Sequence, residues 1–496
     1  MTDTPAAILD PILDLILDLI LDRIQDPIFG AADDTIRGVT ARFARTIGLT
    51  QATAMVVGTI VGSSIFVQPS EVSRAVPSFG GMLLVWIAAG ALTWFGASVC
   101  AELSSAMPRT GGVYVFLRDL FSPAAGFLWG WAMFWSMHSG IIAAIAMVFG
   151  RYFATIVPLG DLGIRLVAVA GILALSAINS FGVRPGSSVQ TVLTFAKLAA
   201  IAVLLALLFA GGTLHVPASL GAAEPRAFLR ALVAGLFAFG GWHMVTYAAD
   251  ETRDPVRTIP RALMLGTAIV VVTYLALNSA YLLVLPIDRM LTSTHIAYDA
   301  TLSTASAGAA SAISVLVIVS SFGAMSGIVL AGPRVYYAMA EDGLLFSWMG
   351  AVHPRYRTPY VAIAMQAIWS SALVLTGTYG VIVSRVVYTE WLFFGALALG
   401  TIRMRRSRAY APAFRAAGFP VTPIAFALVC LAIVVNQIAT DPRESLTGLA
   451  LVAVGIPVYF LWRRMHAGDR LSQPLLPAEV HAGAAVGREQ HPRDRR

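Results

Sequence analysis

Two stretches of this chain set small residues in a row inside otherwise apolar runs. The first reads Gly58-Thr59-Ile60-Val61-Gly62-Ser63-Ser64-Ile65-Phe66, the second Gly235-Leu236-Phe237-Ala238-Phe239-Gly240-Gly241-Trp242. A helix broken in lipid frees backbone groups, and that is tolerable only where they face protein or a cavity. Freed N–H groups at the start of a half-helix attract a carboxylate, and freed carbonyls attract an ammonium or another cation. A molecule carrying both charges close together, an α-amino acid, suits two such breaks. Glycines also mark close packing in membrane helices, and either stretch taken singly favours packing. Their pairing favours a binding site, because Gly-interrupted segments at corresponding places in two halves of a chain point to a midplane site.

The elements that must position these breaks follow from composition. Of 496 residues 57% are hydrophobic and 12% charged, about half the charge of a soluble domain. The apolar residues fall in runs near the length of about 20 that crosses a bilayer. Twelve spans are predicted, at 49–74, 80–107, 123–157, 163–182, 189–211, 228–250, 261–285, 306–338, 358–377, 380–402, 420–440 and 444–463. The breaks fall in spans one and six. An offset of five, being odd, gives spans six to ten the opposite topology to spans one to five. The net charge of +7 sets 33 Arg and one Lys against 27 Asp and Glu. About 25 of those Arg fall on one side of the predicted spans, so the charge reads as topology with both termini cytoplasmic, not as nucleic-acid binding.

Residues 8–29 form a tandem ILDx tetrad with Asp10, Asp14, Asp18, Asp22 and Asp26 at every fourth place. An acidic stripe is repelled by an anionic leaflet, so this segment reads as a peripheral appendage without assigned function. The division expected is an N-terminal cytoplasmic segment, 1–40; a first inverted repeat, 41–217; a second, 218–410; spans eleven and twelve, 411–465; and a polar, disordered tail, 466–496. No cleavable signal peptide is expected from the residues that open the sequence. Cys100 and Cys430 lie inside apolar runs and read neither as disulfide partners nor as metal ligands.

The single lysine, Lys197, stands inside span five. An ionisable group at the centre of a membrane helix costs at least ~2.5–3.5 kcal/mol and usually faces a cavity or a partner. Ser320 and Ser321 in span eight are candidates to lie near it, although such serines commonly bond their own backbone. Glu102, Asp250 and Glu251 sit at cytoplasmic span ends near Arg109, Arg118 and Arg257. They read equally as ion pairs that gate the site or as static loop pairs. No nucleophile–base pair, zinc spacing or phosphate-binding loop is present, so neither an enzyme nor an ATP-driven pump is indicated, and no cofactor or metal is expected.

Several motifs resemble a known family. The first span is similar to the GxIIGSGIF stretch of the amino acid–polyamine–organocation superfamily. GLFAFGGWHMVTYAADETRDPVRTIPRAL, from the sixth span onward, resembles that superfamily's L-amino-acid transporter branch. AELSSAMPRTGGVYVFLRD, SFGAMSGIVLAGPRVYYAMAEDGLL, VHPRYRTP and GIPVYFLWRR agree in family order. The resemblance covers residues 40–465. It implies an all-α polytopic membrane protein of twelve transmembrane helices with the LeuT-like fold: two inverted five-helix repeats, discontinuous first and sixth helices, and two extra helices.

Carried over residue by residue, the resemblance puts carboxylate-binding backbone on Gly62, Ser63 and Ser64. It puts ammonium-binding carbonyls on Ile60, Phe237, Ala238 and Gly240, with Phe237 also the aromatic gate. Ser64 stands where the family usually has Gly, and a β-carbon there narrows the backbone approach. His243 stands where the branch often has Asn, and reads either as a packed polar residue or as one shaping the substrate. His138 falls near the pocket on the same analogy, or is a hydrogen-bonded interior histidine. Lys197 is implied to point at the kink of span one, where sodium-coupled relatives bind Na⁺. It then reads as replacing that ion, and either carries the coupled proton or, as in exchangers of the branch that also have the lysine, does not.

The function these readings imply is secondary transport of L-amino acids by alternating access, sodium-independent and proton-coupled. An obligate amino-acid exchanger is the near alternative. Polyamine/amino-acid antiport is weaker, because a dicationic substrate would want carboxylates in the spans and none reads as deep enough. A transport-dead sensor or a channel are readings of another class. The loop Pro158 to Gly163, where heavy-chain-linked relatives carry a Cys, has none, so no disulfide-linked heavy chain is expected. The expected partners are an L-amino acid, protons and the bilayer of the cytoplasmic membrane.

Overall fold

Lipid offers no hydrogen-bond partners, so a chain this apolar must satisfy its backbone within helices. The computed structural model describes residues 45–181, 183–211, 224–293, 295–377, 379–408 and 410–465. The ILDx tetrad and the tail after 465 lie outside them. Every expected span falls on a helix. Span one is Leu49–Ile60 followed, after a break, by Gln68–Ala75. Spans two to five are Phe79–Ala106, Pro123–Phe153, Asp161–Ser180 and Val183–Gly211. Span six is Pro225–Ala238 continuing as Trp242–Glu251, and span seven is Pro255–Val284. Span eight runs Ala307–Ala331 and, past a bend, Pro333–Glu341. Spans nine to twelve are Tyr360–Thr376, Tyr379–Met404, Val421–Thr440 and Pro442–Met465.

Ten of these helices are long and apolar enough to cross a membrane, and Tyr360–Thr376 is a shorter apolar helix. Several begin with Pro at the first turn, where its missing N–H costs nothing. In span three Ser122 Oγ also accepts the Ala125 N–H at 3.3 Å. The described residues hold no strands, only an isolated parallel bridge between Ile47 and Thr252.

The packing repeats with a period of five spans. Span one packs on seven as six packs on two; five packs on eight as ten packs on three; five touches one as ten touches six. Spans one, three, six and eight are largely enclosed, whereas four, five and twelve turn most of their apolar surface outward. The breaks therefore sit at the centre of the helix bundle, where irregular backbone is protected from lipid.

Candidate functional site

Span one loses its helix at Ile60. The Val61 N–H still reaches the Val57 carbonyl at 2.8 Å, and the Gly62 N–H turns back to Ile60 at 2.8 Å. Helical bonding resumes with the Phe66 N–H on the Ser63 carbonyl at 3.0 Å, and among the described residues neither Ser63 nor Ser64 gives its own N–H to a backbone carbonyl. Span six stops at Ala238, with the Gly240 N–H on the Phe237 carbonyl at 3.1 Å. Gly241 then takes φ +99°, a left-handed turn that favours glycine. A β-carbon there would also stand 3.1 Å from the Thr59 carbonyl oxygen of span one.

The two breaks are bonded to each other. The Thr59 hydroxyl lies 3.1 Å from the Gly241 carbonyl, sharing its proton with the Met55 carbonyl at 2.7 Å. The Tyr274 hydroxyl of span seven sits between the breaks, 2.9 Å from the Ile60 carbonyl and 3.2 Å from that of Ala238. Below them the Ile47 N–H reaches the Glu251 carbonyl at 2.9 Å, and the Arg253 N–H returns to Ile47 at 2.8 Å. Sequence reasoning missed Tyr274. A tyrosine in an apolar span carries no spacing signal, and only packing brings its hydroxyl to both broken ends.

Lys197 is buried, and its Nζ stands 2.7 Å from the Gly58 carbonyl and 2.7 Å from the Val61 carbonyl, at the break of span one. One turn earlier, Thr194 Oγ1 bonds the Ala54 carbonyl at 3.1 Å. Ser320 lines a small space beside Lys197, whereas Ser321 bonds the Val317 carbonyl of its own helix at 2.7 Å.

A cavity opens between the breaks. Span one contributes Thr59, Ile60 and Ser64; span six Leu236, Phe237 and Gly240; span three Ile141 and Ile145; span ten Val386, Val387, Glu390 and Trp391. It measures about 20 Å³, little more than the ~10–15 Å³ that one water needs. Of the expected site residues, Ile60, Ser64, Phe237 and Gly240 line it. Gly62, Ser63 and Ala238 are buried beside it. A β-carbon at Gly62 would meet the Ala324 β-carbon at 3.0 Å, and the Ser63 hydroxyl has no hydrogen-bond partner among the described residues.

His243 lies behind the cavity wall among Trp129, Trp242, Tyr247 and Phe394, with ring centroids 5.0–5.8 Å away. Its Nε2 is 4.0 Å from a Glu390 carboxylate oxygen. His138 is not among the cavity-lining residues; its Nε2 lies 2.9 Å from the Ile328 carbonyl, making it a bonded interior histidine. Glu390 corrects the expectation that no carboxylate lies deep in the spans. It is 5% exposed and lines the cavity. Its depth is not readable from VVYTEWLFF, because it depends on which face of span ten turns inward.

Residues 47–460 match the family model described as amino acid permease. The chain belongs to the amino acid permease family. It is 29% identical over 453 residues to human b(0,+)-type amino acid transporter 1, covering 88% of this chain and 92% of the relative. It is 28% identical over 435 residues to human cystine/glutamate transporter, covering 84% and 85%. To human large neutral amino acids transporter small subunit 2 it is 31% identical over 441 residues, covering 84% and 80%. The resemblance drawn from the motifs is thus borne out: this permease is an all-α, multi-pass membrane protein of an amino-acid-transporting family, not an enzyme.

The charged ends of the permease's spans pair differently from the sequence expectation. Glu102 takes Arg405, at the end of span ten, and also accepts the Ala416 N–H at 2.8 Å. Glu251 takes Arg334 of span eight, with Nε at 2.6 Å. Arg109 pairs with Asp119, and Arg118 with Asp119 and Asp342. Burial works against the Arg118 charge, yet these two carboxylates hold its guanidinium above the usual range. Asp250 accepts the Thr110 N–H at 3.4 Å. Nearness in sequence misassigned these pairs because the partner is whichever helix end arrives beside the carboxylate.

Proposed function

We propose that this permease is a secondary transporter of L-amino acids across the cytoplasmic membrane, working by alternating access. The observation that carries the proposal is a central cavity bounded by both helix breaks. Unbonded amides at Ser63 and Ser64 offer donors to an α-carboxylate. The carbonyls of Ile60, Phe237, Ala238 and Gly240 offer acceptors to the α-ammonium, with Tyr274 already on two of them. Gly62 gives the backbone its close approach, Phe237 forms the gate, and His243 shapes the wall behind Glu390. The cavity is too small for an amino acid as it stands, so loading requires its walls to part. The Thr59–Gly241 bond joins spans one and six directly, and the Ile47 bonds to Glu251 and Arg253 join the segments at their ends, which lets the two spans move together.

Lys197 supports sodium independence. Its Nζ takes up two carbonyl oxygens at the break of span one, which a bound cation would otherwise require. The same group carries the proton in the symport reading. If it keeps its charge throughout the cycle, the protein is an obligate exchanger. We further propose that both termini are cytoplasmic and that the chain works without a disulfide-linked partner, since Cys100 and Cys430 are both buried.

The test is uptake by the purified full chain in liposomes, using a panel of labelled L-amino acids. Symport predicts uptake driven by a pH gradient into empty vesicles, unchanged when potassium replaces sodium. Uptake only into preloaded vesicles identifies an exchanger. Sodium-dependent uptake overturns the Lys197 assignment, and no uptake of any amino acid overturns the transport proposal.

A further inference from the structure

Glu390 alone among the twelve cavity-lining residues carries an ionisable side chain. The walls beside it are apolar, including Ile141, Leu236, Val387 and Trp391. No Lys or Arg forms an ion pair with Glu390 among the described residues. The His243 imidazole stands 4.0 Å away, beyond the ~3.2 Å reach of an N–H···O hydrogen bond. A carboxyl group held this way, 5% exposed and with no basic side chain within hydrogen-bond reach among the described residues, is costly to charge unless something entering the cavity balances it.

The rest of the cavity narrows what that visitor is. The helix breaks address the two charges on an α-carbon, and the apolar walls suit a methylene stem. An α-amino acid whose stem ends in a cation would satisfy all three regions at once. Arg and Lys side chains have this form, an apolar stem with a charged head. We propose that Glu390 makes this permease selective for L-amino acids whose side chain ends in a guanidinium or a primary ammonium. The inference rests on the transport proposal above and adds the side-chain class of its substrate.

Uptake of labelled L-arginine and L-leucine by the full chain in amino-acid-loaded liposomes tests it. The readout is the ratio of the two rates, which cancels differences in the amount of folded protein. The wild type is expected to favour arginine, and Glu390→Gln to lower the arginine-to-leucine ratio by about tenfold or more. Glu390→Lys is expected to gain uptake of L-glutamate, a change that a misfolded variant cannot produce. An unchanged ratio in Glu390→Gln, with no glutamate uptake in Glu390→Lys, overturns the proposal and leaves Glu390 as a wall residue of the cavity. Leucine uptake without arginine uptake by the wild type overturns it while leaving amino-acid transport standing. Absence of uptake for both, and for the wider panel, overturns the transport proposal itself.

Discussion

The Arg334 guanidinium meets the Glu251 carboxylate at two points, Nε at 2.6 Å and a terminal nitrogen at 3.0 Å. Both side chains are withdrawn from solvent, 1% and 0% exposed. The pair fastens the end of span six to the second half of span eight. The Glu251 carbonyl also receives the Ile47 N–H ahead of span one, so one residue links three elements below the cavity.

Breaking a buried pair strands one charge, at a cost of about 3–5 kcal/mol. Glu251→Gln and Arg334→Met are each expected to lower the melting temperature in detergent strongly. The double substitution should cost less than the two combined, because no lone charge is left. Additive losses would show that the two groups do not act as a pair.

Lys197→Met removes the donor from the Gly58 and Val61 carbonyls and leaves buried acceptors unmet, at about 1–3 kcal/mol each. Uptake should fall by about tenfold or more, and any residual uptake should lose its response to a pH gradient. A variant that transports with unchanged pH dependence removes the proton assignment from Lys197.

Tyr274→Phe keeps the ring and removes the hydroxyl shared by Ile60 and Ala238. The loss in stability should be about 1 kcal/mol, with a raised KM for uptake because the broken ends are no longer held in register. Unchanged KM would mean the hydroxyl is structural only.

Gly241→Ala forces a side chain onto φ +99° and against the Thr59 carbonyl, a strain of about 1–3 kcal/mol. Gly240→Ala meets only the Phe237 carbonyl at 3.2 Å and has no positive φ. Thermal melts should therefore rank Gly241→Ala well below Gly240→Ala.

His295 lies outside the spans, its ring 5.0 Å from that of Tyr152. Burial first, then the nearby Arg151 charge, hold its imidazole below the ordinary value of 6.5, with Asp299 opposing. The folded state therefore binds fewer protons than the unfolded one, and stability falls as pH drops through about 6.5. His295→Phe should melt with less loss between pH 7.5 and pH 5 than the wild type, measured by tryptophan fluorescence.

Helix number, the places of the two breaks and the position of Lys197 inside a span were legible in the sequence. Each depends on local properties: the length of an apolar run, a cluster of small residues, a charge where lipid tolerates none. Contacts between distant elements were not legible. Glu102 chose Arg405 over its neighbours in sequence, Tyr274 reached both breaks, and Glu390 turned into the cavity instead of toward lipid. Hydropathy reports how apolar a helix is but not which face meets which neighbour. In lipid the outward and inward faces are both apolar, so the rotation of each span is set by packing alone. The sequence by itself determined that this chain is a multi-pass permease with two broken helices; tertiary structure decided which side chains meet at the break.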